Sequence, residues 1–277
     1  MQVFEEERCL GINIKLVMRI VDLSFPIEKS ESEPMNITID RTDYREGALQ
    51  ICQEAKEFLG ISHPVFNENS FPEGMFISNE MITLSTHTGT HVDAPSHFGP
   101  LCNGKKSITI DECPLEWFYS DAVVLNFSDK HSNDLISKDD VIYELNNIQY
   151  QLKPKDIVLI NTGTYHKWGK NEYFSNAPAM SIEATIYLIK SGVKVIGIDT
   201  YGYDLPFTSM IQSYIKTQDQ KALWPNHMLG RKFEYVHIER LCNLDSIDEP
   251  FGFKFVGFPI KIKGADASWI RAVAIYN

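Results

Sequence analysis

Three histidines and one aspartate lie within eleven residues of this 277-residue chain, in the segment HTGTHVDAPSHF. They are His87, His91, Asp93 and His97. Imidazole and carboxylate groups are donors that zinc-like and manganese-like divalent cations prefer in proteins. An ordinary polar strand is the alternative explanation. Four such groups at alternate positions, flanked by glycine and proline, favour a metal or catalytic site instead.

The spacing of these residues predicts how the segment folds. All four occupy odd positions, so an extended chain would project them from one face. Four extended residues span roughly 13 Å, which is too far for His87 and His91 to share one ion without a bend. Gly89 can supply the bend, and Pro95 should end strand pairing before His97. Because glycine, β-branched residues and proline disfavour a helix, we predict an irregular strand-to-loop segment.

Composition and charge restrict the class of protein. The formal net charge of −11 and the pI near 5.2 argue against nucleic acid or an anionic membrane as the main partner. No run of about eighteen apolar residues predicts a membrane span, and the acidic N-terminus does not resemble a secretory signal. Five scattered cysteines without a CxxC pair indicate reduced thiols, so we expect a cytoplasmic protein.

Hydrophobic periodicity predicts the elements that must hold the motif in position. Strands are expected over 14–25, 80–86, 122–127, 157–161, 193–199, 254–262 and 269–276. Helices are expected over 45–58, after a cap at Ser137, and from Ser181 to a stop at Gly192. Residues 27–36 are polar and predict a loop. The fold class is a mixed α/β (α+β) single domain, richer in strands than in helices.

Groups far along the chain could complete a metal site, although the residues alone leave their roles open. His227 is surrounded by apolar residues in LWPNHMLG. Glu239 belongs to YVHIERL, where we expect it on the other face from His237 and Arg240 if the segment is extended. Either His227 or Glu239 could be an ordinary core or surface group. Asp199 follows a predicted strand, where it could bind a ligand or cap the next turn.

The motif HTGTHVDAPSHF resembles the H-x-G-T-H-x-D-x-P-x-H signature of the metal-dependent cyclase family, which includes bacterial kynurenine formamidase and isatin hydrolase. The resemblance extends over most of the chain, through KPKDIVLINTG, SIEATIYLIKSGVKVIGIDTYGYD and WPNHMLGRKFEYVHIERLCNLDSI. It implies the swivelling β/β/α cyclase-like fold over residues 18–277, after an N-terminal extension over residues 1–17. It also implies assembly into homodimers or homotetramers.

The resemblance further implies a role for each site residue. His87, His91 and Asp93 would bind the principal divalent metal, zinc or manganese. His227 and Glu239 would complete a second ion or anchor a bridging water, so Glu239 counts among both the ligands and the catalytic residues. His97 would be the general acid/base.

Two departures from the family pattern concern the substrate pocket. Ala177 and Ala179 stand in SNAPAM, where many relatives have His-Pro-Gly, and the region 34–76 is longer than in compact formamidases. The longer region suggests a different substrate cover. Several aromatic residues could contact a ring-bearing substrate or serve only the core. They are Phe98, Tyr165, Trp168, Tyr201, Phe207 and Trp224.

Together these expectations describe a metal-dependent hydrolase of the arylformamidase or cyclic amidase kind. Metal-activated water would attack the amide or lactone carbonyl of a small cyclic or aromatic substrate, and His97 would transfer the proton. Two other classes stay open. A metal-dependent cyclase, dehydratase or lyase would use the same ion for carbon chemistry, and a non-catalytic binder would hold the metal without turnover.

Overall fold

The computed structural model describes residues 18–276 of the chain. The strands in this range are β1 (Arg19–Asp22), β2 (Thr38–Thr42), β3 (Asn79–Thr83), β4 (His91–Asp93), β5 (Leu101–Cys102), β6 (Lys105–Lys106), β7 (Tyr119–Asn126), β8 (Leu135–Ile136), β9 (Ile157–Asn161), β10 (Ala179–Met180), β11 (Val195–Ile198), β12 (Val236–Glu239), β13 (Phe253–Val256), β14 (Ala267–Trp269) and β15 (Val273–Tyr276). The helices are α1 (Tyr44–Leu59), α2 (Pro95–Phe98), α3 (Lys138–Asn147), α4 (Glu172–Ser175), α5 (Ile182–Lys190), α6 (Phe207–Thr217) and α7 (Pro225–Leu229). Among the described residues, no helix is long and apolar enough to cross a membrane.

Nine strands form one sheet in the order β1-β15-β13-β7-β9-β11-β12-β4-β14. Strands β14 and β15 follow each other in the chain, yet β15 is the second strand of this order and β14 is the last. The connection between them, 270–272, can span at most roughly 14 Å. It is also hydrogen-bonded at both ends, from Ile270 N to Thr90 O and from Leu23 N to Ala272 O. The sheet must therefore curl until its two ends approach each other.

Alternate residues of the central strands fill two separate cores. In β9, Ile157 and Leu159 belong to a core with contributions from strands all around the curled sheet. Val158 and Ile160 face a second core, which includes residues of helices α3 and α5. Since both faces of β9 are covered, its sequence is continuously apolar rather than alternating.

The predicted helices are confirmed, together with the residues that cap them. Asp43 accepts hydrogen bonds from the backbone N–H groups of Arg45 and Glu46 at the start of α1, and the Glu46 side chain accepts one in return. Ser137 caps α3 and Ser181 caps α5 in the predicted positions. Capping side chains satisfy backbone donors that have no partner within the helix, so they indicate helix starts from local sequence alone.

The strand predictions hold best in the centre of the sheet and worst at its ends. The single strand predicted over 269–276 is wrong, because β14 and β15 are separate strands that pair with different strands of the sheet. The strand predicted over 254–262 stops at Val256, ahead of Pro259, which cannot donate to a strand ladder. The strand predicted over 80–86 ends at Thr83.

The strand predicted over 14–25 is observed only in part. Residues 14–17 lie outside the described residues, as does the N-terminal extension predicted over 1–17. The remainder forms β1, which ends at Asp22, and Ser24 then makes an isolated bridge with Leu241.

The predicted loop over 27–36 is irregular, yet two of its polar side chains are buried. Ser32 Oγ accepts hydrogen bonds from the backbone N–H of Gly169 and of the following lysine. Glu33 forms a buried ion pair with Arg240 and accepts a hydrogen bond from Gly89 N at 3.1 Å. Through Glu33, the loop therefore connects the turn of the histidine motif to Arg240, the residue that follows β12.

Gly230 lies where α7 contacts α2, the two helices that carry His227 and His97. A Cβ atom at position 230 would lie 2.1 Å from Cδ2 of Phe98, whose ring is fully buried. We expect Gly230→Ala to lower the free energy of unfolding by about 1–3 kcal/mol, because overpacking forces side chains and backbone to shift. Urea denaturation measures this change.

The matched test of this contact is the pair Gly230→Ala and Phe98→Leu. If the methyl group strains against the ring, the double variant should be less destabilised than the sum of the two single variants. A Gly230→Ala protein within about 0.5 kcal/mol of the wild type would contradict the close approach.

Candidate metal centre and active site

The adjacent antiparallel strands β4 and β12 place four polar side chains on one face. His91 is directly opposite Glu239, and Asp93 is directly opposite His237. Opposite residues have Cβ atoms roughly 4.5–5.5 Å apart, and alternate residues of a strand share a face. Val92, between the two ligands, faces the core of the curled sheet. The strand register therefore assembles a compact patch of two imidazoles and two carboxylates.

The motif bends as predicted before it enters β4. Gly89 has a φ of 60°, in the left-handed region that favours glycine. This turn brings His87 Nδ1 to 2.9 Å from Asp93 Oδ1. After β4, Pro95 ends the strand as predicted, but it begins the short helix α2 rather than a loop. Helix α2 places the ring of His97 4.3 Å from the ring of His87, centroid to centroid.

His227 and Glu239 reach the same place from the later part of the chain. His227, on α7, has Nε2 3.6 Å from Glu239 Oε1 and 3.8 Å from Asp93 Oδ2. Glu239 Oε2 lies 3.6 Å from His91 Nε2. The structure therefore brings together all the predicted site residues. They are His87, His91, Asp93, His97, His227 and Glu239.

Hydrogen bonds determine which nitrogen of the buried imidazoles is free. His91 Nδ1 lies 2.8 Å from the carbonyl oxygen of Gly89, which can only accept, so Nδ1 carries the proton. His91 Nε2 then holds a lone pair, and it has no hydrogen-bond partner. His227 is held in the same way, because Nδ1 lies 2.7 Å from Asp204 Oδ2. In both rings Nε2 is directed at carboxylates.

This arrangement fits a divalent cation. Nε2 of His91 and Oδ2 of Asp93 are buried without a hydrogen-bond partner, and the nitrogen nearest to Asp93 Oδ1 is Nδ1 of His87, at 2.9 Å. Lone pairs that face carboxylates in a buried site are costly unless a positive charge lies between them. Two groups of side chains could hold a metal ion, and within each group the donor atoms all lie within 4.8 Å of one another. One group is Asp93, His227, His237 and Glu239, and the other is His87, Asp93 and His97.

Two carboxylates outside the motif, Asp204 and Asp266, orient histidines of the site through hydrogen bonds. Asp204 accepts hydrogen bonds from the backbone and side chain of Asn226 as well as from His227. Asp266 Oδ2 lies 3.1 Å from His97 Nδ1 and 3.3 Å from His87 Nε2. Partners of this kind fix the tautomer and orientation of ligand histidines. Sequence reasoning missed both aspartates, and no local spacing signals them.

His237 is the third residue that sequence reasoning missed, and here a local signal existed. The prediction that Glu239 lies on the other face from His237 is wrong. Residues two apart in a strand share a face, so both belong to the site, whereas Arg240 turns away to pair with Glu33.

The charges in the site shift the pKa values of its histidines in opposite directions. Burial alone would lower the pKa of His87, but Asp93 and Asp266 raise it to about 9. Burial would likewise lower the pKa of His227, but Asp204 raises it to about 9. For His91, burial dominates and lowers the pKa to about 3. Burial and the charge of Asp93 raise the pKa of Glu239 to about 7.

We expect the apparent affinity for zinc or manganese to increase as the pH rises from about 6 to about 9. Since His87 and His227 have pKa values of about 9, protons compete with the metal below that pH. Each displaced proton can contribute up to about tenfold in affinity per pH unit. Chelator-competition titrations across this pH range measure the slope, and an affinity independent of pH would contradict the expectation.

A cavity of about 440 Å³ opens beside His227 and Glu239, within the range of small-molecule sites. Its walls are mainly aromatic and apolar. They include Pro34, Tyr173, Phe174, Ala177, Tyr201, Phe207, Met210 and Trp224. The cavity therefore places ring-binding surfaces next to two of the predicted site residues.

Three of the six aromatic residues singled out from the sequence line this cavity, namely Tyr201, Phe207 and Trp224. The other three lie elsewhere: Trp168 stacks on Phe25 at 4.0 Å, Phe98 is buried in the core, and the ring of Tyr165 lies 4.1 Å from that of His166.

Both departures from the family pattern reach the same cavity. Ala177 lines it directly, whereas Ala179 is buried in β10. Of the longer region 34–76, Pro34 is the residue that lines the cavity.

Asp199 caps a turn and lies outside the site. Its Oδ1 accepts hydrogen bonds from the backbone N–H and the hydroxyl of Thr162, at 3.0 and 2.7 Å. Burial raises the pKa of this carboxyl to about 6. Asp199 therefore has a structural role, but the turn that it caps is the one after β9 and not, as predicted, the next turn after Asp199.

Residues 21–205 match the model of the Cyclase family, which is described as "Putative cyclase". The match spans more than half of the chain. The chain belongs to the Cyclase family. Kynurenine formamidase of Bacillus cytotoxicus is 28% identical to it over 237 residues, which cover 79% of this chain and 98% of the relative.

Solved structures share the fold of this Cyclase family member. Isatin hydrolase A of Ralstonia solanacearum superposes with a TM-score of 0.69 at 23% identity, covering 94% of this chain and 92% of the other. A structure described as a potential metal-dependent hydrolase with cyclase activity has a TM-score of 0.59 at 20% identity, covering 94% and 99%. The predicted family and the single-domain, mixed α/β cyclase fold are confirmed. The prediction of an arylformamidase-like enzyme agrees with these relatives.

Proposed function

We propose that this Cyclase family member is a metal-dependent hydrolase that cleaves the amide bond of a small, ring-bearing substrate. The observation that carries the proposal is the set of unpartnered, buried donor atoms around Asp93, next to a cavity with aromatic walls. The names of the relatives, kynurenine formamidase and isatin hydrolase, support the same reaction class.

The predicted ligands His87, His91 and Asp93, with His227 and Glu239, would hold one or two divalent ions. Imidazole and carboxylate donors without a thiolate suit zinc or manganese. When bound, such an ion lowers the pKa of water and polarises a carbonyl oxygen. Asp204 and Gly89 hold the protons of His227 and His91 on Nδ1, so that each Nε2 stays available as a donor.

His97 is the proposed general acid/base. Its interaction with Asp266 through Nδ1 leaves Nε2 to take up or release a proton. Its side chain is 29% exposed, whereas that of His91 is fully buried, so His97 can exchange protons with solvent more readily than His91 can. Glu239 lines the cavity and is the second proposed proton-transfer group, in addition to its role as a ligand.

The shape of the cavity supports a ring-bearing substrate. Tyr201, Phe207 and Trp224 provide apolar faces, and His227 and Glu239 are the polar groups at the metal centre. An aromatic or cyclic group would contact the walls while its carbonyl faces these two residues. N-formyl aromatic amines, lactams and lactones therefore form the substrate panel to test.

Elemental analysis of the purified protein, combined with a mass-spectrometric screen of that panel, tests the function. We expect bound divalent metal, products with water added, loss of activity with a chelator and recovery with zinc or manganese. Ring closure or loss of water would instead favour a cyclase, dehydratase or lyase. Ligand-induced stabilisation without turnover would favour a binder. A protein that holds no divalent metal would contradict the proposal.

We further propose a homodimer or homotetramer. Strands β2 and β3 pair only with each other among the described residues, and an isolated pair of strands is marginally stable alone. In the segment between these two strands, Phe58 and Val65 are 81% and 80% exposed. Exposed apolar surface of this kind supports a contact between copies. Light scattering coupled to size-exclusion chromatography tests it, and a monomer would contradict it.

We also propose a cytoplasmic location. It is supported by the free thiols of the four described cysteines, of which Cys102, Cys113 and Cys242 are buried. Cell fractionation tests this proposal.

A further inference from the structure

His237 is buried among the predicted metal ligands but has no part in the hydrolysis proposed above. It lies directly opposite Asp93 in the β4–β12 pairing and is fully buried. One of its ring nitrogens lies within 4.8 Å of donor atoms of Asp93, His227 and Glu239. The metal ligands implied by the family resemblance do not include it.

The hydrogen bonds of Tyr235 determine the tautomer of this imidazole. Tyr235 Oη lies 2.8 Å from the carbonyl oxygen of Asn226, which can only accept, so the single hydroxyl proton is donated there. The same oxygen lies 2.7 Å from His237 Nε2 and must accept from it. Nε2 of His237 therefore carries a proton, and Nδ1 holds the lone pair.

Nδ1 of His237 is a buried acceptor without a donor. It has no hydrogen-bond partner, although nearly all buried polar atoms in folded proteins have one. The ring cannot easily turn away, because Tyr203 stacks on it with centroids 4.0 Å apart and planes inclined by 14°. Phe98 covers another side at 4.8 Å. A neutral imidazole is thus held rigidly beside two carboxylates with one lone pair unused.

We propose that His237 Nδ1 is a further metal ligand, which completes a buried donor set with Asp93, His227 and Glu239. The inference rests on the proposed function, since it presupposes a divalent ion in the site. All four residues of this set are buried. The second group, His87, Asp93 and His97, is partly exposed, so an ion held there by His87 and Asp93 would be open to water or substrate, with His97 beside it as the proton-transfer group.

Two positions of this kind should differ in metal exchange. The buried four-donor position should hold its ion tightly and release it slowly. The position at His87 and Asp93 should exchange its ion more readily, because His87 is reached from solvent. Asp93 belongs to both groups and would link them.

The variant His237→Phe tests the inference, because it keeps an aromatic ring between Tyr203 and Phe98 and removes both nitrogens. We expect the zinc affinity of the tighter position to fall by at least about tenfold in chelator competition. We also expect a smaller metal-induced rise in Tm and an altered absorption spectrum of the cobalt-substituted protein. His237→Asn is the second variant, should the phenylalanine prevent folding.

Tyr235→Phe is the matched control, since it removes the hydroxyl that holds Nε2 but leaves the Nδ1 donor in place. It should retain the wild-type number of zinc ions per chain. The Tm of each metal-free variant, compared with that of the metal-free wild type, separates a folding defect from the loss of a ligand.

The outcomes separate this inference from the proposed function. If the wild type binds metal and hydrolyses amides while His237→Phe keeps its zinc affinity, stoichiometry and cobalt spectrum, the inference about His237 is overturned and the function stands. If the wild type binds no divalent metal, the proposed function fails and this inference fails with it.

Discussion

Replacing Asp93 by alanine is expected to remove bound metal and to lower kcat/KM by at least about 10³-fold. Asp93 is the residue common to both groups of donor atoms, with Oδ1 2.9 Å from His87 Nδ1 and Oδ2 3.8 Å from His227 Nε2. An active-site ion stabilises the transition state by several kcal/mol, and each 1.36 kcal/mol is tenfold in rate. Elemental analysis and steady-state kinetics on the best substrate of the panel measure both effects.

Two further variants complete the Asp93 experiment. Asp93→Asn preserves the volume of the buried side chain, so it separates the loss of charge from the creation of a cavity. Asp129→Asn makes the same chemical change at an exposed position outside both donor groups and should leave metal content and rate unchanged. Full metal content and activity in Asp93→Asn would contradict the assignment of Asp93 as a ligand.

Replacing His97 by glutamine is expected to lower kcat by about 10²–10⁴-fold while the metal content is retained. General acid–base catalysis contributes a factor of this size, and glutamine cannot transfer the proton. His97 is positioned for this role by Asp266, 3.1 Å from its Nδ1. Stopped assays at saturating substrate give kcat, and elemental analysis gives the metal content of the same preparation.

The number of metal ions bound per chain separates the two possible roles of His97, because this residue also belongs to the donor group with His87 and Asp93. Loss of one ion per chain would make His97 a ligand rather than a proton carrier, and an unchanged kcat would remove it from the mechanism. His166→Gln is the matched control. His166 is an exposed imidazole that pairs with Asp245 at 2.8 Å, outside both donor groups, so kcat and metal content should not change.

Local features of the site could be predicted because they depend on residues close in the chain. The bend at Gly89 follows from the conformational freedom of glycine, and the end of β4 follows from Pro95. The caps at Ser137 and Ser181 depend on side chains that reach backbone groups three residues away. Each of these predictions is confirmed without knowledge of the tertiary contacts.

The distant site residues needed more than local reasoning. His227 and Glu239 were assigned through the family resemblance, since nothing in their immediate sequence distinguishes them from core or surface groups. His237 was missed, although the period of a strand places it on the same face as Glu239. Asp204 and Asp266, which orient the histidines, could not be predicted from local sequence, because their partners are contributed by other elements of the fold.

By itself, the sequence determined that His87, His91, Asp93 and His97 form one cluster with metal-binding chemistry, because four donors within a short segment must stay near one another. The tertiary structure decided what that cluster faces. The register of β4 against β12 aligns His91 with Glu239 and Asp93 with His237. The curl of the sheet brings β14 close to β15 although they pair with different strands, and the fold places Tyr201, Phe207 and Trp224 around one cavity. These outcomes depend on contacts between residues far apart in the chain, which no local pattern contains.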